Sequence, residues 1–199
     1  MLLEKAWAKL HGSYERIEAG FAENVLHDLT GAPTEVIECD SEKLFDLLQR
    51  ADKKGWVMAA SAGSTEAAKG ALEELGLIGN HSYGLIGVVE IEDRFGDKVQ
   101  LIQLRNPWGD FEWKGDWGDD SPCWTEETKK MAGLTSNKDD GLFFMCLDDL
   151  RKYFSRVQIC RVKDNYEYSW FKARHKHNSF SLLRFVITGE GGHTYLQVI

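Results

Sequence analysis

Two side chains of this 199-residue protein have the types and the setting to move protons: His81 and Asn106. An imidazole acting as a general base needs its second ring nitrogen held by a hydrogen-bond partner, which fixes the productive tautomer. A carboxamide oxygen does this without adding charge, which suits a histidine paired with a cysteine thiolate. His81 stands just before a strand-like run over 83–91, and Asn106 just after a second one over 99–104. Between them Asp93-Arg94-Phe95-Gly96-Asp97 reads as a turn. An antiparallel hairpin about that turn brings its entrance, His81, close to its exit, Asn106. Tyr83, Leu85, Val89 and Ile91 are expected on one face of the first strand, with Ile86 and Val88 on the other. On residue types alone, such a pair is also an ordinary structural hydrogen bond.

The rest of the chain must hold that hairpin. Leu2, Leu3, Ala6, Trp7 and Leu10 form a helical stripe, so a helix is expected over 2–10. A loop with Gly20, Gly31 and Pro33 follows, then a strand over 35–39. Ser41 is placed to cap a helix whose buried stripe is Leu44, Phe45, Leu47, Leu48 and Ala51, stopped by Lys53, Lys54 and Gly55. A buried strand is expected over 56–60. The small-residue stretch 61–80, with a helix over 66–75, should be relatively mobile. Beyond Asn106 comes an acidic, tryptophan-rich loop to Trp124. Then follow a strand over 141–146, a helix over 148–154 and a strand over 157–162. The polar stretch 164–178 reads as a linker, and 180–187 as the start of a new β element. The first helix has no capping residue before it, and the chain stops on the strand-like Tyr195, Leu196, Val198 and Ile199. Both edges read as cuts within a larger protein.

Composition narrows the class. Hydrophobic residues make up 43% of the chain and seven are tryptophan, enough for a packed core. The net charge of −8, with no basic stripe, argues against nucleic acid as partner. The knot Lys172, Arg174, His175, Lys176 and His177 reads as a solvated loop or as a contact for an acidic partner or lipid head group. No apolar run reaches the ~20 residues of a membrane span, and Glu4, Lys5 and Lys9 break any signal-peptide core. Four widely spaced cysteines, Cys39, Cys123, Cys146 and Cys160, fit reduced thiols and a cytoplasmic or other intracellular setting.

The words around the pair are more specific. His81-Ser82-Tyr83, then Leu104-Arg105-Asn106-Pro107-Trp108-Gly109, then Glu112-Trp113-Lys114-Gly115-Asp116-Trp117 closely resemble the calpain family of papain-like cysteine proteases. The resemblance extends back through 2–14 and the Asp28-Leu29-Thr30-Gly31 stretch, and forward from Asp140-Gly141 to Cys160. It implies an α+β fold: the second subdomain of the protease core over 1–162, an antiparallel sheet or half-barrel flanked by short helices. A linker and the incomplete start of a C2-like β-sandwich would fill 163–199. His81 would be the catalytic base and Asn106 its orienter. Trp108 would shield their hydrogen bond and sit as a wedge at the cleft. The stretch 61–80 would line that cleft.

The family's nucleophilic cysteine lies upstream of this region, in a first subdomain and a Q-x-x-x-G-x-C-W context. Cys123-Trp124 imitates the dipeptide, but follows Asn106 and has no glutamine before it. The resemblance also implies a calcium site on Glu112, Asp119, the backbone carbonyl of Lys138 and Asp140. A further family glutamate is here Leu142. The implied function is calcium-dependent intracellular limited proteolysis of protein substrates. The first subdomain carrying the cysteine would be supplied in cis or in trans. A non-catalytic regulatory or scaffold module of the same family is the alternative.

Overall fold

The computed structural model describes residues 2–63, 69–134 and 140–163 and, as strands, 167–174, 180–187 and 194–198. The chain order is α1 (Leu2–His11), a 3-10 turn (Glu15–Ile17), α2 (Ala22–Thr30), β1 (Thr34–Glu38), α3 (Leu44–Lys53), β2 (Val57–Ala62) and α4 (Lys69–Glu74). Then come β3 (Ser82–Glu92), β4 (Lys98–Arg105), α5 (Glu126–Ala132), β5 (Leu142–Cys146), α6 (Leu147–Tyr153) and β6 (Phe154–Cys160). Six strands form one antiparallel sheet in the order β1-β6-β2-β3-β4-β5. A separate sheet joins β7 (Glu167–Arg174), β8 (Phe180–Ile187) and β9 (Thr194–Val198), again antiparallel.

Helix α3 shows how the sequence builds one layer. Leu44, Phe45, Leu48 and Ala51 recur at helical spacing and are all buried. The helix packs on β2 and β3, and its stripe joins one buried cluster that includes Met58 and Ala60 of β2, Tyr83 and Leu85 of β3, and Phe143 and Met145 of β5. Each buried large side chain contributes roughly 1.5–3 kcal/mol. The other face of the sheet carries a smaller cluster of Ile91, Leu101, Trp117, Trp124 and Phe144.

The two faces are reconciled by a β-bulge in β3. Leu85 pairs with Leu104, but the next pair is Gly87 with Gln103, so Ile86 is an extra residue. Side-chain alternation changes phase there. Tyr83 and Leu85 face the large core, and so does Val88 beyond the bulge, whereas Val89 and Ile91 turn to the smaller cluster. The expectation that Tyr83, Leu85, Val89 and Ile91 share a face is therefore wrong, because periodicity alone does not register an inserted residue.

Four further differences have local causes. Helix α2 occupies part of the stretch read as a loop: Ala22, Val25, Leu26 and Leu29 make a stripe, and Gly31 closes the helix at φ 68°. Ser41 does not cap α3; it lies in a turn after β1, and its carbonyl accepts from the Leu44 amide (3.1 Å) and the Arg151 guanidinium (3.3 Å). Strand β7 falls inside the stretch read as a linker, paired with β8 from Glu167↔Ile187 to Arg174↔Phe180. Helix α5 was not expected at all; Thr125 caps it in a reciprocal box with Thr128.

Candidate active site

The hairpin of β3 and β4 is closed by a short acidic turn. Asp93 accepts the amides of Phe95 (2.8 Å) and Asp97 (2.9 Å) on its carboxylate, and Arg94 donates to the Pro122 carbonyl, tying the turn to the tryptophan-rich loop. At the far end, Gly84 pairs with Arg105, which sets Asn106 just past β4 and His81 just before β3. The His81 carbonyl accepts from the Ala62 amide at 2.9 Å, so the central strand β2 anchors the histidine backbone.

His81 Nε2 and Asn106 Oδ1 are 2.9 Å apart. Asn106 is fully buried, and every polar group it carries is used. Its Oδ1 also accepts from the Trp108 amide at 3.2 Å. Its Nδ2 donates to the carbonyls of Asp110 (2.6 Å) and Phe111 (3.4 Å). Its own amide donates to the Gly141 carbonyl (2.8 Å), and its carbonyl accepts from Gly109 (3.0 Å). This network fixes the amide orientation, since only an NH2 satisfies two carbonyls and only an oxygen accepts the Trp108 N–H. His81 Nε2 must then be the donor. Nδ1 remains to take or give a proton.

Aromatic rings pack around the imidazole. The Tyr83 ring meets it edge-on at 5.0 Å and the Trp108 indole at 4.7 Å, tilted by 53°. Tyr83 is fully buried and its hydroxyl accepts from the Ile78 amide at 2.8 Å, which links the approach to β3 with the ring beside His81. Trp108 is 62% exposed and projects as a rim over the pair.

The repeated tryptophans have a structural reason. Trp113 donates its indole N–H to the Asp116 carbonyl (2.8 Å) and Trp124 to the Gly118 carbonyl (2.9 Å). The rings become the core of the loop, each with its polar atom satisfied. Gly115 is needed because a Cβ there would lie 2.0 Å from the Trp113 ring.

The acidic residues line an open depression of about 710 Å³ formed by the same loop. The Asp119 carboxyl is pushed up to about 6, first by burial and then by the charges of Glu112, Asp140 and Asp120. Crowded hard oxygens of this kind suit Ca²⁺. Glu112 Oε1, however, accepts the amides of Asp140 (2.8 Å) and Gly141 (2.7 Å), and Asp140 Oδ1 accepts that of Leu142 (3.0 Å). Among the described residues no three His, Cys, Asp or Glu side chains come together as a metal-holding group. Lys138 lies outside the described residues. The donors thus fit calcium in chemistry, without being gathered on one point.

None of the four cysteines is disulfide-bonded. Burial pushes the Cys39 thiol up to about 12 and the Cys146 thiol up to about 11. Neither is a ready thiolate. Cys160 is fully buried, with its sulfur 3.3 Å from the Thr30 hydroxyl. Cys123 packs against the smaller cluster of Trp117, Trp124 and Phe144.

Comparison with known proteins follows the same residues. The sequence model of the calpain family of cysteine proteases matches residues 1–161. Rat Calpain-9 is 36% identical over 180 residues, 85% of this chain and 26% of the relative. Mouse Calpain-9 is 38% identical over 167 residues (81% and 24%), and the mouse Calpain-2 catalytic subunit is 37% identical over 165 (81% and 23%). The chain spans about a quarter of the length of these curated relatives. No helix among the described residues is long and apolar enough to cross a membrane. With a match over residues 1–161 and that degree of identity, this chain belongs to the calpain family of cysteine proteases.

Proposed function

We propose that the chain is the histidine–asparagine half of a calcium-dependent, intracellular thiol endopeptidase that cuts protein substrates by limited proteolysis. Residues 1–162 form the second subdomain of the protease core, and 163–199 the opening of a C2-like β-sandwich. The observation that carries this reading is the 2.9 Å contact between His81 Nε2 and Asn106 Oδ1, in a fully saturated network that leaves Nδ1 for chemistry. Burial of Cys39 and Cys146 well above the thiolate range supports a nucleophile outside this chain, on a first subdomain joined in cis or in trans.

In the reaction, His81 Nδ1 accepts the proton of the cysteine thiol. The thiolate sulfur then attacks the scissile carbonyl, forming a C–S bond. His81 Nδ1 returns the proton to the leaving amine as the C–N bond breaks, giving an acyl-enzyme and a free amino terminus. Water attacks the acyl carbon, His81 Nδ1 takes its proton, and that proton goes back to the sulfur as the C–S bond breaks. Asn106 keeps Nε2–H occupied throughout, so the ring neither flips nor changes tautomer. Trp108 keeps water from the His81–Asn106 bond, which strengthens it. Glu112, Asp119, Asp140 and the Lys138 carbonyl would hold calcium, with Leu142 lowering the affinity. A bound ion would supply the positive charge that offsets these carboxylates.

The test is hydrolysis of an unfolded protein by the full-length protein in which this chain occurs, with calcium or a chelator, before and after iodoacetamide. Cleavage that calcium supports and alkylation abolishes is expected. Cleavage that survives alkylation contradicts a thiol mechanism. No cleavage under any condition favours the scaffold reading.

A further inference from the structure

Asn106 is held by three acceptors, and these sit on two chain segments that are far apart in sequence. Its side-chain Nδ2 donates to the carbonyls of Asp110 and Phe111, on the segment that runs directly into Glu112. Its backbone amide donates to the carbonyl of Gly141, on the segment that opens β5. One atom ties these two segments together: Glu112 Oε1 accepts both the Asp140 amide (2.8 Å) and the Gly141 amide (2.7 Å). Gly141 therefore gives its N–H to Glu112 and its carbonyl to Asn106. From the Glu112 carboxylate to the imidazole there are three hydrogen bonds in series: Glu112 to Gly141, Gly141 to Asn106, and Asn106 to His81.

Backbone geometry narrows the join further. Gly141 adopts φ +83°, and a Cβ there would lie 2.7 Å from the Asn106 carbonyl oxygen and 3.0 Å from Gly109 Cα. The two segments are pressed together at the residue that Glu112 grips. Two residues on, the Lys114 amide donates to the Leu75 carbonyl at 3.0 Å, just past α4, which braces the segment that follows the glutamate. A single oxygen accepting two N–H groups from consecutive residues fixes both amides at one point.

We propose that Glu112 is a positioning residue for the His81–Asn106 pair. Its carboxylate clamps the 140–141 segment to the 110–112 segment and so sets Asn106 Oδ1 at the distance that keeps His81 protonated on Nε2. The role rests on the reading of His81 and Asn106 as base and orienter. It acts through backbone carbonyls, and Glu112 touches neither substrate nor nucleophile. What matters is the reach of an oxygen more than its charge. Glutamine keeps that oxygen at the same distance, whereas aspartate keeps the charge but retracts it by one methylene.

The experiment is nitrogen-detected NMR of the His81 ring in the 199-residue chain in chelator, comparing wild type with Glu112→Gln and Glu112→Asp. The wild type should show a single Nε2–H tautomer and a slowly exchanging Asn106 side-chain amide. Glu112→Gln should stay within about twofold of wild-type exchange, while Glu112→Asp should exchange about tenfold faster, with the tautomers mixed. Circular dichroism on the same samples separates a shifted pair from an unfolded chain. If both variants fold and keep the wild-type tautomer and exchange, the clamp is wrong. If Glu112→Gln alone disrupts the pair, charge and not reach is the cause, and the proposal is overturned in this form. Neither result depends on peptide cleavage, so the protease reading stands or falls separately.

Discussion

Trp108 lies against His81 with ring centroids 4.7 Å apart and planes tilted by 53°, while 62% of its own surface stays exposed. A residue this exposed adds little to the core, but its ring packs on the imidazole and its amide donates to Asn106 Oδ1, so the proposed role is to shield their hydrogen bond. Stability and activity should therefore separate on its removal. Trp108→Ala is expected to change unfolding free energy by less than about 1 kcal/mol, read by urea titration of this chain. The same change in the full-length protein should lower kcat/KM by roughly 10–100-fold, since a wetter hydrogen bond orients the imidazole less firmly. An activity equal to wild type would leave the indole without a shielding role.

Gly141 and Gly96 make a matched pair of left-handed glycines, at φ +83° and +85°. A Cβ at Gly96 meets nothing within 4 Å, whereas at Gly141 it meets Asn106 and Gly109 backbone. Gly96→Ala should cost about 1 kcal/mol, from dihedral strain alone. Gly141→Ala should cost about 3 kcal/mol or more and disturb the Asn106 amide resonance. Thermal melts of the two variants check the difference; equal losses would mean that the close approach at Gly141 is relaxed at no cost.

Thiol labelling reads burial directly. With thiols at about 12 and about 11, the native Cys39 and Cys146 are thiolates at pH 8 in only roughly one molecule in ten thousand and one in a thousand. Brief iodoacetamide treatment of the folded chain should leave both unmodified, with half-buried Cys123 taking the first label. Peptide mass mapping gives the answer. Rapid labelling of Cys39 or Cys146 would contradict a nucleophile lying outside the chain.

The acid loop sets a pH dependence with a definite sign. The Asp119 carboxyl, normally near 3.8, is raised to about 6 by burial and by its acidic neighbours. Between those values the folded chain binds more protons than the unfolded one, so this group's stabilising contribution is full below about 3.8 and is lost as pH rises through about 6. Asp119 is partly exposed, and solvent screening reduces the effect to roughly 1 kcal/mol. Asp119→Asn should thus be more stable than wild type at pH 7.5 in chelator, by about that amount, and should lose the advantage at pH 4. Melting curves at the two pH values decide it; an advantage that persists at pH 4 would have another origin.

Much of this was legible in the sequence because the hairpin is local. Its turn residues, two strand-like runs and flanking His81 and Asn106 lie within one short stretch, so pairing follows from alternation and turn chemistry. The bulge at Ile86 was not legible, since an inserted residue leaves no mark on a period-two pattern and shows only in partner strands. Helix α2 has a local signal, since Ala22, Val25, Leu26 and Leu29 before Gly31 form a stripe with a stop, but Gly20, Gly31 and Pro33 around it give the stretch the composition of a loop. The site's outer support could not be read at all. That Glu112 grips Asp140 and Gly141 depends on contacts between loops far apart in the chain, and no local rule encodes them. Strand β7 reads as a linker from sequence because its charged ends outweigh the alternating Tyr168 and Trp170 between them.

The most direct measurement is kcat/KM of the full-length protein on a peptide substrate, for wild type, His81→Ala and Asn106→Ala. Loss of the base should lower kcat/KM by at least about 10³-fold, and loss of its orienter by roughly 10–10³-fold through kcat, with KM little changed. Wild-type turnover in His81→Ala would contradict the account, because the 2.9 Å pair would then be a structural hydrogen bond and nothing more.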